Sequence, residues 1–430
     1  MSAAPAPRLA VLLLAAALPA ALPGLLWLSE ALELLIILTA LLDLAFSRRR
    51  LEVAVAMDPV FALGVANAVT LKVRAFGPPL TLELKQDLPL HIERLDDWPS
   101  LRTAHDAWVE ATYQVKPMRR GAYALGAVHA RYPSPLGLWR RRLTWRRSDP
   151  VRVYPNLRPA RQWEIAIRQG RHLEGLKRSR VRGTGTDFES LRNYQAGDQF
   201  RSINWPATAR MGELVTTLYQ VDRSQPIMLL VDAGRMMIPQ VAGLTRLDHA
   251  LDAALLLGTV AAERGDQIGM MLFGGEVKAF MAPKKGRGQV MSMVETLYDV
   301  TPEQVEPDYG RMISWLRARH KKRSLVVFFT DLVDPDISRG LIEHLSALAA
   351  HHLVLLVCLT DPALLAMARQ ESADTKGVYE KAAALEVLAL RADTKARLQS
   401  RGVLVIDVPP EQFSTAVVNQ YLMIKEQGRL

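Results

Sequence analysis

The stretch IMLLVDAGRMM, Ile227 to Met237, decides how this chain is read. An unbroken apolar run enters Asp232, and Gly234 and a turn follow. A strand that alternates apolar and polar residues shows one face to water, whereas a continuous apolar run is buried on both faces. The stretch therefore predicts a parallel strand inside an α/β sheet. In such sheets ligands gather outside the carboxyl ends of the strands, which puts Asp232 on the functional edge. A second run, VVFFTDL, ends the same way and places Asp331 on that edge.

The pattern extends outward from these two strands. Further apolar runs fall at 267–273, 353–359 and 403–408, with 324–330 containing the approach to Asp331. Helical stretches are read at 245–264, 287–299, 309–321, 338–350, 384–401 and 411–427. Strand and helix in alternation mean an open, mostly parallel sheet. Before residue 155 the pattern differs: LEVAVAM, AVTLKVRAF, LTLELKQDL, AWVEATYQVKP and AYALGAVHARYP alternate, with Pro or Gly between them. That predicts a small antiparallel β-sandwich over 51–155.

The N-terminus is apolar. Leu9 to Leu28 contains no charge, and twenty helical residues span roughly 30 Å, one hydrocarbon core. A second run, Ala31 to Phe46, ends at Arg48, Arg49 and Arg50. With Arg8 ahead of the first run, the positive-inside rule predicts a hairpin of two transmembrane helices, about 9–28 and 31–46. Residues 1–50 would then anchor the chain in the inner membrane, with the rest cytoplasmic. A cleaved signal peptide is the competing reading, since AAALPAALPG resembles a cleavage region.

Composition narrows the function. The single cysteine, Cys358, excludes a disulfide framework and a Cys-rich zinc site, and it lies in an apolar run where a packed residue is expected. The nine histidines form no H-E-x-x-H pattern, and His351-His352 is read as a cation at a helix end. The basic turn at Lys284, Lys285 and Arg287 is no phosphate loop. No nucleophile–base pair is evident, so the reading is non-enzymatic. The net charge is +10, and it is concentrated. Between Trp139 and Arg182 there are fourteen Arg or Lys against Asp149, Glu164 and Glu174, a local net of +11. Without aromatic interleaving or a DNA-binding motif, this points to anionic lipid or protein rather than nucleic acid.

The most distinctive segment runs from Gly183 to Tyr219. It interleaves Asp187, Glu189, Arg192, Asp198, Arg201 and Arg210 with Tyr194, Phe200, Ile203 and Trp205. Guanidinium forks and carboxylates at this density build ion-pair networks that hold irregular backbone. Gly197 suits a turn and Asp198 a cap. The ordered series Gly183, Gly185, Asp187, Phe188, Leu191, Arg192, Tyr194, Gly197, Asp198, Arg201, Ile203, Trp205, Ala209, Arg210 resembles the signature of the domain-of-unknown-function-58 family, and Asn204 inside it joins the candidate interaction residues. That family more often has Glu at position 187 and Ser at position 208. The resemblance covers essentially the whole chain. It implies a C-terminal domain like that of von Willebrand factor A (vWA) over 225–430, joined through a basic connector and the signature over 156–224. It also implies a protein-interaction role beside a MoxR-type AAA+ ATPase and other vWA-containing membrane proteins, chaperone-like or in assembly at the cell envelope. An anionic-lipid or polyanion sensor is the alternative, and an uncharacterised hydrolase a third reading.

A vWA-like fold raises the question of a metal. Such a site needs oxygen ligands: an Asp, two Ser hydroxyls, a Thr from a later loop and a second Asp. Here Asp232 and Asp331 are present, but the serine positions hold Gly234 and Met236, and a thioether does not suit Mg²⁺ or Ca²⁺. Thr301 and Asp308 lie in the later loop without a Gly-Thr pattern. The expectation is a degenerate site that binds hydrated Mg²⁺ weakly at most, with no resident cofactor. Asp232 and Asp331 would instead pair with nearby Arg or backbone N–H groups at the sheet edge, Asp232 for instance with Arg235 or Arg210.

Overall fold

Strand β1, Pro226–Asp232, lies at the centre of a six-stranded sheet. The others are β2 (Gln267–Phe273), β3 (Val277–Lys284), β4 (Leu325–Phe329), β5 (Leu353–Leu359) and β6 (Leu404–Val408). Their order is β3-β2-β1-β4-β5-β6, parallel except for β3. This computed structural model describes residues 2–21, 25–156, 158, 187–195, 200, 203–220, 224–332, 335–371 and 374–429. Two compact units result, Met1–Tyr154 and Pro155–Leu430.

The sheet forms where the apolar runs predict it. Every residue of β1, β4 and β5 is buried, as strands covered by helices on both faces must be. Met228, Leu230, Phe328 and Leu356 pack from the sheet against Tyr309, Leu316, Leu341, Leu345 and Leu398 of the helices. The edge strand β3 was not among the expected elements. It is half exposed and contains Pro283, so it lacks the unbroken apolar run by which its neighbours announce themselves. The helices Pro362–Arg369 and Thr375–Ser400 also exceed the single expected stretch at 384–401. The strand order reverses at β1, whose neighbours are β2 and β4. A doubly wound sheet opens its crevice at such a point, so the ends of β1 and β4 are where a site belongs.

Close packing of the sheet depends on one glycine. A Cβ at Gly269, inside β2, would lie 2.5 Å from Met228 Sδ and 2.7 Å from the Met281 carbonyl oxygen. The backbone of β3 and a core methionine occupy the space a side chain would need.

The first unit is a β-domain built from three sheets of five, three and four strands. Its pairings are antiparallel apart from Asp149–Tyr154 with Val60–Ala62.

The N-terminal segment corrects the membrane expectation. Among the described residues no helix is long and apolar enough to cross a membrane. The first helix, Pro7–Ala17, has only 11 residues, and the chain passes into a 3₁₀ turn over Leu18–Ala21, where Pro19 stands. The second helix, Leu26–Phe46, has 21 residues but includes Glu30, Glu33 and Asp43. Asp43 is buried against the β-domain: its carboxylate accepts from the Ser134 hydroxyl at 2.5 Å and from the Leu136 N–H at 2.9 Å. Trp139 Nε1 donates to the Ala40 carbonyl at 2.8 Å, and Arg141 donates to Leu44 and Ser47 at the helix end. Ser2–Pro5 adds an edge strand to Trp139–Trp145. The helical pair is thus an integral part of the β-domain, and neither the two transmembrane spans nor the inner-membrane localisation drawn from them is supported.

Candidate functional site

Asp232 ends β1 with its side chain fully buried. The Gly234 N–H donates to it at 2.7 Å, the Thr330 hydroxyl at 2.6 Å and the Tyr309 hydroxyl at 3.3 Å. Neither Arg235 nor Arg210 is its partner. Arg235 approaches Glu306 at 4.0 Å, and Arg210 lies exposed in the last turn of the short helix Trp205–Met211. Burial pushes the Asp232 carboxyl up to about 6, because three hydrogen bonds do not fully replace water around a charge, and Asp331 adds repulsion. Burial and the neighbouring Asp232 charge likewise push the Tyr309 phenol well up, so it stays a donor.

Asp331 follows β4 and lies in a different environment. Arg391 Nη1 donates to its Oδ1 at 2.5 Å, and the Arg246 guanidinium pairs with Oδ2. Arg391 also reaches Asp407 at 2.8 Å and the Leu359 carbonyl at 3.2 Å. Burial works against the Arg391 charge, but Asp331 and Asp407 outweigh it and its pKa is raised. Local sequence sets these positions. Thr245 and Asp248 form a reciprocal capping box that starts the helix Arg246–Glu263 at Arg246, beside the sheet edge. Arg391 points inward from the helix Thr375–Ser400, and its side chain reaches the ends of β4, β5 and β6.

These contacts test the metal expectation, and the residues do not fit a divalent cation. Asp331, the second carboxylate, is neutralised by two guanidinium groups. Position 234, where a serine oxygen would be needed, is closed: a Cβ there would lie 2.8 Å from the Val305 carbonyl and 3.0 Å from Pro307 Cδ. The loop holds itself there, since the Arg235 N–H donates to the Val305 carbonyl at 2.9 Å and the Glu303 N–H to the Ala233 carbonyl at 2.8 Å. Thr301 is exposed, and Asp308 caps the helix Tyr309–Arg319 through the Arg311 N–H at 2.8 Å. Among the described residues no group of three His, Cys, Asp or Glu is arranged to hold a metal. A cavity of about 10 Å³ lined by Met237, Arg246, Thr330 and Asp331 admits one water.

The opposite ends of β4 and β5 hold a feature that sequence reading missed. His320 Nε2 and His352 Nδ1 both hydrogen-bond the Ser324 hydroxyl, at 3.0 and 3.1 Å, with the two rings stacked. Burial pulls His352 down to about 4, helped by His320, His351, Arg317 and Arg323. The expected cation at this helix end is therefore neutral at its second histidine. The expectation of a packed Cys358 agrees with its burial.

The signature segment folds as a hairpin with a helix inserted. Asp187–Asn193 pairs antiparallel with Val215–Gln220, from Asp187 opposite Gln220 to Asn193 opposite Val215. Asn204 caps the helix Trp205–Met211 by accepting from the Ala207 N–H at 3.0 Å, and Gly212 ends it at φ +72°, the left-handed conformation glycine favours. The Asn193 amide donates to Glu213 at 2.9 Å, and Arg192 reaches the Asn193 carbonyl at 3.2 Å. The Tyr194 and Phe200 rings lie 6.1 Å apart. These contacts turn Trp205 outward at 64% exposure, with Phe200 at 75% and Met211 at 62%. Gly197, Asp198 and Arg201 lie outside the described residues, and of Asp187 only the backbone is placed.

With both regions described, residues 190–398 match the family model "Protein of unknown function DUF58". This stretch is a DUF58 domain. The match is narrower than the whole-chain resemblance and spans the latter part of the signature and most of the six-stranded sheet. "Uncharacterized protein Rv1480" of Mycobacterium tuberculosis is 26% identical over 211 residues, 47% of this chain and 64% of that one. "Uncharacterized protein YeaD" of Bacillus subtilis is 26% identical over 177 residues, 40% of this chain and 43% of that one. The chain thus spans less than two thirds of the curated relatives it matches. Among solved structures, the SpRpn10 VWA domain aligns with 46% of this chain and 94% of its own, at 14% identity and a TM-score of 0.29. The α/β assignment of the DUF58 domain rests on its strand order.

Proposed function

We propose that the DUF58 domain is a protein-interaction module whose docking surface is the signature hairpin, and that its partner is a MoxR-type AAA+ ATPase. The supporting observation is the outward Trp205 on a capped, glycine-terminated helix, with Phe200 and Met211 also exposed. A soluble surface seldom presents aromatic and thioether side chains in this way without a use, and Trp is the residue most often found at the energetic centre of interfaces. The carboxyl edge of the sheet plays a different part in this reading. Asp331 is paired with Arg246 and Arg391, and Asp232 is held by Gly234, Thr330 and Tyr309, so the edge is a rigid support rather than a reaction centre. The ATPase as partner follows from the family resemblance, and the role would be chaperone-like or in assembly.

The test is titration of the full chain with a MoxR-type AAA+ ATPase from the same organism. Trp205→Ala and Phe200→Ala are each expected to weaken binding at least about tenfold, the scale of one interface anchor, with unchanged thermal unfolding. Full affinity in both variants would remove the hairpin from the interface. Absence of binding by the native chain would remove this partner.

A further inference from the structure

We propose that the β-domain binds a phosphate group in a cavity on the outer face of its five-stranded sheet. Three neighbouring strands build it: Thr81–Gln86, Val128–Pro133 and Trp139–Trp145. Their inward residues are buried and mostly apolar, with Gln86 and Arg141 as the polar exceptions, and their outward residues form a cationic surface. Arg131 lies directly opposite Arg142 on one neighbour and Glu83 on the other. One pair along, His129 lies opposite Thr144 and Lys85. The cavity, of about 220 Å³, is lined by Glu83, Lys85, Trp98, His129, Arg131 and Arg142.

Like charges directly opposite on paired strands, about 5 Å apart at Cβ, destabilise a sheet. Arg131 and Arg142 do this, and among the described residues neither has an ion-pair partner, nor does Lys85. Elsewhere in the unit arginines do find carboxylates: Arg74 meets Asp106 at 2.8 Å and Arg147 meets Asp149 at 2.7 Å. The two unpaired forks and Lys85 face only Glu83 across the cavity, a net of +2. Asp87 is turned to His129, whose Nε2 it meets at 3.0 Å while Nδ1 meets the Thr144 hydroxyl at 2.9 Å. The imidazole is therefore fixed in place at the cavity wall. Trp98 is held there by Arg94 over its ring at 4.6 Å and by Tyr113.

Two guanidinium forks side by side offer more donors than a carboxylate accepts. A phosphate monoester, a dianion with three terminal oxygens, satisfies both at once, and bidentate arginine suits it better than lysine alone. The volume is below that of a drug-sized pocket, which admits a phosphate or diphosphate and little more. Soluble phosphates and the headgroup of phosphatidic acid share this chemistry. The inference does not depend on the protein partner proposed above.

The experiment uses the full chain at low ionic strength. Inorganic pyrophosphate is titrated calorimetrically, and vesicles of phosphatidylcholine with and without phosphatidic acid are tested by co-sedimentation. The double variant Arg131→Gln/Arg142→Gln should lose at least about tenfold in affinity, as expected for losing charge-assisted hydrogen bonds. Arg119→Gln, exposed and away from the cavity, should bind as the native chain does. Saturable pyrophosphate binding that the double variant loses supports a soluble ligand. Phosphatidic-acid-dependent sedimentation alone, lost in the same variant, supports a headgroup. No saturable binding in either arm, or equal binding by the double variant, overturns the proposal. Thermal unfolding guards against misfolding, since removing the Arg pair should leave the variant at least as stable as the native chain in low salt.

Discussion

Arg391 and Asp331, 60 residues apart in sequence, meet at 2.5 Å with side chains only 4% and 1% exposed. The same guanidinium holds Asp407 of β6 and the carbonyl of Leu359 at the end of β5. One side chain thus ties the helix Thr375–Ser400 to the ends of three strands. Breaking a buried ion pair by removing one partner costs about 3–5 kcal/mol, because the other charge is left without water. Arg391→Ala should lose that much in chemical denaturation of the full chain. Arg391→Met, which keeps most of the stem packing, should lose nearly as much. A loss below about 1 kcal/mol in both would mean that water or protons reach the carboxylates freely, contrary to their burial.

Asp232 and His352 should make stability depend on pH in opposite senses. Asp232 is raised from 3.8 to about 6 on folding, mainly by burial. Between those values the folded state keeps a proton that the unfolded state has released, so stability falls as pH rises through the window. His352 is lowered from 6.5 to about 4, again mainly by burial, and His320 shifts the same way. Between those values the unfolded state binds the extra proton, so stability rises with pH. The two slopes oppose each other in the native chain. Asp232→Asn should uncover the histidine slope, with the denaturation midpoint climbing from pH 4 to 6.5. His352→Gln should shift the balance toward the aspartate slope. Identical pH dependence in all three proteins would contradict both assignments.

The sequence showed most of the sheet and little of the chemistry on its edge. IMLLVDAG, VVFFTDL and LVLLVCLT are legible because a strand covered on both faces is apolar along its length, as β1, β4 and β5 are. The strand Val277–Lys284 is not, since an edge strand has one face to fill and tolerates Pro283. Asp232 and Asp331 were both found at the edge. Pairing with arginine or backbone N–H groups was legible in kind, but not the individual partners, because Arg246 and Arg391 for Asp331 and Tyr309 for Asp232 come from helices distant in sequence. The N-terminal runs misled for a related reason. Apolarity alone does not make a spanning helix: the first run stops after 11 helical residues, and the second contains Asp43, which docks on Ser134 and Leu136 of the β-domain.

Gly269 gives a direct test of packing. Ala there would push a methyl group against Met228 Sδ and the Met281 carbonyl. The methionine can move, but the β3 backbone cannot without losing its pairing with β2. Overpacking of this kind costs about 1–3 kcal/mol. Gly269→Ala should therefore unfold earlier in urea, whereas Gly288→Ala, whose added Cβ meets nothing within 4 Å, should not. Equal midpoints for the two variants would show that β3 shifts without penalty.

Gly234 and Met236 stand where a vWA-like cation site has serine hydroxyls. Gly234→Ser with Met236→Ser would return both hydroxyls to the sheet edge beside Asp232. Were those oxygens the only deficiency, the double variant would bind Mg²⁺ or Mn²⁺ and gain stability from it, as any ligand of the folded state alone confers. Two features of the structure argue otherwise. The Val305 carbonyl and Pro307 crowd position 234, so the serine must displace the loop. Asp331 is already neutralised by Arg391 and Arg246, and a divalent cation would have to expel a guanidinium to reach it. The double variant should therefore melt below the native chain, and millimolar Mg²⁺ or Mn²⁺ should move neither melting curve. A cation-dependent rise in the melting temperature of the variant would show that the hydroxyls alone decide metal binding. If Arg391→Ala must be added before the rise is seen, the guanidinium is what keeps the cation out.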